Sequence, residues 1–282
     1  MQLLTIQNDF LKVTLADKGA EMQSIIDLKG RERLWQGDPA FWEERAPILF
    51  PVAGGLKDDR YTLDGQTYPM PKHGFVCNLT WDLADKDEDF AVYCISQKHE
   101  GFPFEYSFYA RYELKENAIK VSYTVKNKGD KRFVYSLGSH EGFCTPGGIE
   151  KWAVRFEQPE NLQAYQLDGA LLSHDTVSLG ENVSLLPLKT EYFLVDALIF
   201  LGIKSRKARL ESEHYEGTIT VEFPGKENLL LWQKPGAHYL CVEPWLNAPD
   251  FVDADGDILK KPGCVLLLPG EEKTHTHVIT VD

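Results

Sequence analysis

The chain has 282 residues, 43% of them hydrophobic and 12% aromatic, which is enough for a substantial core, and 26% charged. A net charge of −13 with no basic cluster excludes a polyanion-binding surface, so nucleic acid is not an expected partner. No apolar run approaches the ~20 residues that span a bilayer. MQLLTIQNDF has neither the basic start nor the long apolar stretch of a secretory signal, which predicts a cytoplasmic protein without a membrane partner.

Taken in chain order, strand patterns dominate. LLTIQNDFLKVTLAD opens the chain, and Pro39 can start one short helical turn in PAFWEERA. YTLDGQTYPM, AVYCISQKHE and FEYSFYARYEL follow, rich in Val, Thr, Ile and aromatics. AIKVSYTVKNKG is the cleanest case, with Ile119, Val121, Tyr123 and Val125 on one face and Lys120, Ser122, Thr124 and Lys126 on the other. GTITVEFPG, LLLWQK, YLCVEPW and HVITVD complete the set, and LVDALIF is too short to assign. Turn signals such as LDGQT, NKGD and LDGA recur at short intervals, and no linker or repeat divides residues 1–282. The pattern predicts one all-β domain, a large antiparallel β-sandwich.

Five cysteines, an odd number with no CxxC spacing, read as reduced core residues rather than a disulfide framework or zinc knuckle. In DFVDADGDI the aspartates alternate as in a calcium loop. That loop needs Gly and Glu where Ile258 and Cys264 stand, so a polar hairpin tip is expected. His275 and His277 can share a strand face, but no carboxylate stands near them in sequence and no metal site is predicted. There is no GxGxxG, P-loop or GxSxG.

Four segments depart from the half-polar strand pattern: APILFPVAGGLKDDRY, PMPKHGFVCN, YSLGSHEGF and LCVEPWLN. The last three set His73, His140 and Glu243 beside Gly or Pro and an aromatic. Gly admits a close approach and Pro ends strand pairing, so these are candidate strand ends at a shared mouth. Each residue alone reads as readily as a surface or satisfied side chain; it is the three similar contexts together that point to a site.

With GAEMQSI, LWQGDPAFW, LVDALIFLG and CVEPW, these stretches run from residue 19 to 245 in an order that resembles the aldose 1-epimerase (galactose mutarotase) superfamily, and most closely its LacX-like branch. The resemblance implies the galactose mutarotase-like supersandwich and interconversion of α and β anomers of a hexose or hexose derivative. It implies no cofactor and no metal, and the chain is expected as a monomer or homodimer. His140 then corresponds to the acid that protonates the ring oxygen and Glu243 to the base that takes the anomeric proton. His73 and Asp196 match positions that hold sugar hydroxyls, and Trp245 offers an aromatic face. Family members carry an Asn-Arg pair or similar after the apolar stretch, where this chain has Gly54 and Gly55. Lys57 is the expected substitute cation, with Lys72 and Arg60 the other basic residues nearby. The missing arginine motivates an alternative, a non-catalytic carbohydrate-binding protein of the same fold. A glycoside hydrolase would need paired carboxylates ~5–10 Å apart, for which Asp196 is the only partner to Glu243.

Overall fold

The Ala118–Asn127 strand alternates half-buried and buried along its whole length, with Ile119, Val121, Tyr123 and Val125 inward, as its period-2 sequence dictates. A computed structural model describing residues 1–282 contains 22 such strands and only four short 3-10 turns. Every pairing between named strands is antiparallel, which tight turns allow without crossover helices. No helix is long and apolar enough to cross a membrane.

One 15-stranded sheet dominates. It starts at Ile48–Leu49 and passes through Gly138–Ser139, Tyr239–Trp245, Asn228–Trp232 and Leu198–Phe200 to Ala153–Asp168. It continues through Lys207–Glu211, Ile219–Glu222, Glu272–Val281, Ala118–Asn127, Tyr106–Lys115 and Phe90–Ile95 to Asp82–Lys86. The sheet folds over on itself. Phe50, beside its first strand, lies 4.7 Å in ring centroid from Phe108, on a strand near its far end. Between the two layers a single apolar cluster of 63 buried residues runs from Ile6 to Val281. This is the all-β sandwich that the alternation predicts.

Some local expectations change. Residues 38–42 close a single turn, with the Trp42 N–H donating to the Asp38 carbonyl and the Ala40 N–H to Asp38 Oδ1, but no helix follows. Residues 153–187 form a long hairpin, Ala153–Asp168 against Leu171–Pro187. DFVDADGDI is not a hairpin tip; it is an irregular loop joined to distant strands by single bridges at Phe251 and Asp257. The five cysteines are free, and only Cys241 is fully buried.

Candidate active site

Glu243 lies on the Tyr239–Trp245 strand, and strand alternation turns Cys241, Glu243 and Trp245 toward one face. Two short strands pair with it, Gly138 opposite Trp245 and Gly142 opposite Cys241. That register, continued through the gap between them, sets His140 directly opposite Glu243. The His140 Nε2 to Glu243 Oε2 distance is 3.4 Å. Gly138 makes the approach possible, since a Cβ there would meet the Trp245 ring at 2.4 Å. The indole crosses that space and its Nε1–H donates to the Ser139 carbonyl at 3.2 Å.

His73 enters from a loop in a left-handed conformation, φ +69°, which is uncommon for a non-glycine residue. Two hydrogen bonds to Gly54 hold it there. The His73 N–H donates to the Gly54 carbonyl, and its Nδ1 accepts from the Gly54 N–H, each at 3.1 Å. With Nδ1 an acceptor, the neutral ring carries its proton on Nε2. Its ring centroid is 5.8 Å from that of His140 and 5.5 Å from that of Trp245.

His73, His140, Asp196, Glu243 and Trp245 all line one cavity of about 600 Å³. Its walls also carry Trp42, Trp232, Lys72 and Lys234. Trp42 lies 5.0 Å from the His140 ring and Trp232 stands edge-on to it at 5.6 Å. Asp196 is half-buried, its Oδ1 accepting the Ala197 N–H at 2.8 Å. Lys57 does not line this cavity, which corrects the sequence expectation: its ammonium donates to the Ala254 carbonyl at 3.2 Å, on the other side of a tight turn. Arg60 is exposed and paired with Asp58. Lys72 is the basic residue of that group that faces the cavity. The Gly55 substitution also has a local cause, because a Cβ at 55 would sit 2.7 Å from the Ala170 carbonyl. The tip of the long hairpin occupies the direction an arginine would take.

Trp42, Trp232 and Lys234 were not singled out from the sequence. Trp232 carried a usable signal, since its strand pairs with Tyr239–Trp245 and sets Trp232 opposite Cys241.

Burial governs the electrostatics. It pushes the Glu243 carboxyl well above the ordinary range, with the Glu141 and Asp196 carboxylates adding to the effect and Lys72 opposing it. Burial likewise pushes His140 down to about 3 and His73 well below its ordinary value. In the free protein burial therefore favours the neutral form of each group, with the pair's shared proton on Glu243. His140 Nδ1 and Glu243 Oε2 are buried without a hydrogen-bond partner, a condition usually tolerated where function requires it. The Cys241 sulfur lies within 4.8 Å of ligand atoms of both His140 and Glu243. Burial favours the protonated form of that thiol.

A histidine and a carboxylate thus face each other across 3.4 Å in an indole-walled cavity of a folded-over antiparallel sheet. The aldose 1-epimerase family profile matches residues 2–280, and the chain belongs to that family. It is similar to Protein LacX of Lactococcus lactis subsp. lactis, 27% identical over 99% of both chains. Among solved structures, a galactose mutarotase-like protein from Lactobacillus casei superposes with a TM-score of 0.93 at 28% identity, covering 100% of both chains. A galactose mutarotase related enzyme from Lactobacillus acidophilus gives 0.91 at 29% identity, covering 100% of this chain and 97% of the other.

Proposed function

We propose that the protein catalyses interconversion of the α and β anomers of a hexose or hexose derivative, with His140 and Glu243 as the proton-transferring pair. The observation that carries this reading is the 3.4 Å approach of His140 to Glu243, each with an unpartnered buried atom, in a cavity of sugar-accommodating size. Ring opening removes the proton from O1 and delivers one to O5 as the C1–O5 bond breaks. Glu243 as carboxylate accepts the first and His140 as imidazolium supplies the second. After rotation about the first carbon–carbon bond, the reverse transfers close the ring on the other face of C1. The pair gains one proton and loses one in each half, so no net charge enters or leaves the buried site.

Burial of both groups favours the tautomer with the shared proton on Glu243. The productive tautomer for opening the ring has it on His140, 3.4 Å away. Sugar hydroxyls that donate to Glu243 and a ring oxygen that accepts from His140 favour that tautomer, so binding itself readies the pair. His73 and Asp196 then hold hydroxyls, while Trp42, Trp232 and Trp245 supply flat faces for the C–H-rich side of the ring. Polarimetry on freshly dissolved α-glucose, α-galactose and a wider aldose panel tests the proposal. Faster equilibration by wild type that Glu243→Gln abolishes supports it; no acceleration with any sugar refutes it.

The hairpin tip at the Gly55 position favours a second reading, carbohydrate binding without turnover. It predicts saturable sugar binding by calorimetry with an unchanged anomerisation rate.

A further inference from the structure

His140 and Glu141 are consecutive in an extended stretch, so their side chains leave opposite faces of the sheet. His140 enters the cavity. Glu141 enters the core between the two layers, where it is 1% exposed. Its Oε1 is 2.8 Å from Nε2 of His277, itself 0% exposed and contributed by the Glu272–Val281 strand of the facing layer. The Glu141 carbonyl accepts the Val242 N–H at 3.2 Å, so the same residue is also locked to the backbone beside Glu243. A fully buried ionisable pair inside an apolar sandwich is an expensive arrangement, and apolar residues of similar volume are often as stable. The proposed proton transfers give it no part. It also accounts for His277, whose carboxylate partner stands 136 residues away and could not be found from local sequence.

We infer that Glu141 is a positioning residue for the His140–Glu243 pair, a fixed anion on the core face of the sheet that sets how tightly the pair holds its shared proton. The inference rests on the proposed role of that pair. Groups from every neighbouring element bear on Glu141: His277, Tyr112, Tyr123, Lys226, Cys241, Glu243 and His140. Burial is the largest influence and works to raise the Glu141 carboxyl, but His277, the backbone and Ser139 together hold it below its ordinary value. Burial works to lower His277, and the Glu141 charge works to raise it. Lys226 is a buried cation on which the Glu141 charge bears, 1% exposed, its Nζ without a partner and pushed down to about 8 by burial. Water is excluded from this layer, so the Glu141 charge acts through the sheet with little screening. Its sign favours a proton on either member of the pair, Glu243 and His140 alike.

The test is the titration of the Glu243 carboxyl, followed by the infrared C=O band of the protonated acid and assigned by its loss in Glu243→Gln. Glu141→Gln retains an oxygen to accept from His277 and removes only the charge. Its Glu243 band should disappear at a pH lower by on the order of one unit, and Glu141→Asp should restore the wild-type value. Lys226→Met, which strips the opposing cation, should move the band the other way. It also provides the test if Glu141→Gln fails to fold. A folded Glu141→Gln or Lys226→Met protein with an unmoved band overturns the inference. In turnover, Glu141→Gln should shift the pH profile of kcat by the same amount while leaving KM near wild type. The titration needs no turnover, so a protein that anomerises no sugar would sink the proposed function and still leave Glu141 testable.

Discussion

His140 and Glu243 are asked to exchange one proton across 3.4 Å, with side chains only 13% and 2% exposed. Glu243→Gln keeps the size and one acceptor but cannot take a proton. The loss in kcat should be about 10²–10⁴-fold, the range for one general acid or base, with sugar affinity by calorimetry within a few fold of wild type. An equal loss of affinity would mean that Glu243 chiefly binds. His73→Ala should behave differently, raising KM more than it lowers kcat, because its proposed part is to hold a hydroxyl, from a ring that is itself held by Gly54. Steady-state kinetics separate the two patterns. At this scale the sequence is informative about which residues share the cavity and poor about where Lys57 points. SLGSH and CVEPW marked His140 and Glu243, whereas Lys57 was chosen by closeness in sequence to Gly55. Asp58 and Asp59, both with positive φ, turn the chain there and send the Lys57 ammonium to Ala254.

At the scale of elements, one register places the chemistry. Gly138 opposite Trp245 and Gly142 opposite Cys241 leave His140 facing Glu243, and no loop has to search for the geometry. Strands of alternating residues such as Ala118–Asn127 were legible because one face is core and the other half-exposed. The hairpin of Ala153–Asp168 and Leu171–Pro187 was not, because long stretches of it are exposed on both faces and read as polar coil. Yet its tip is what fills the direction of an arginine at Gly55. Gly55→Arg must push against the Ala170 backbone, 2.7 Å from its Cβ. Overpacking of this kind costs roughly 1–3 kcal/mol, a drop of several degrees in Tm by thermal unfolding. An undisturbed Tm would show that the hairpin tip yields freely.

For the whole molecule, burying neutral imidazoles couples the fold to pH. Burial lowers His73 and His277, takes His275 to about 4 and His140 to about 3, all from an ordinary value of 6.5. The unfolded chain binds those protons below pH 6.5 and the native protein does not. Stability is therefore full above that pH and falls as pH drops toward 4, by about 1.4 kcal/mol per pH unit for each unmatched proton. Glu243 runs the other way, its raised pKa stabilising at low pH and losing that contribution as pH rises through it. Histidines outnumber it, so the urea midpoint should be clearly lower at pH 5 than at pH 7. A midpoint unchanged or higher at pH 5 would mean that these rings are protonated in the fold. Composition and alternation made the all-β class readable across the chain. The pairing of Glu141 with His277 was not, because it joins layers that only the folded-over sheet brings together.

The central claim is that the His140–Glu243 pair opens and closes a sugar ring. Its most direct test is the decay of optical rotation of fresh α-aldoses with wild type, Glu243→Gln and His140→Gln under one set of conditions. Wild type should speed equilibration for at least one aldose, and both variants should lose most of that acceleration. Equilibration at the uncatalysed rate for every aldose, or acceleration that survives either substitution, would contradict it.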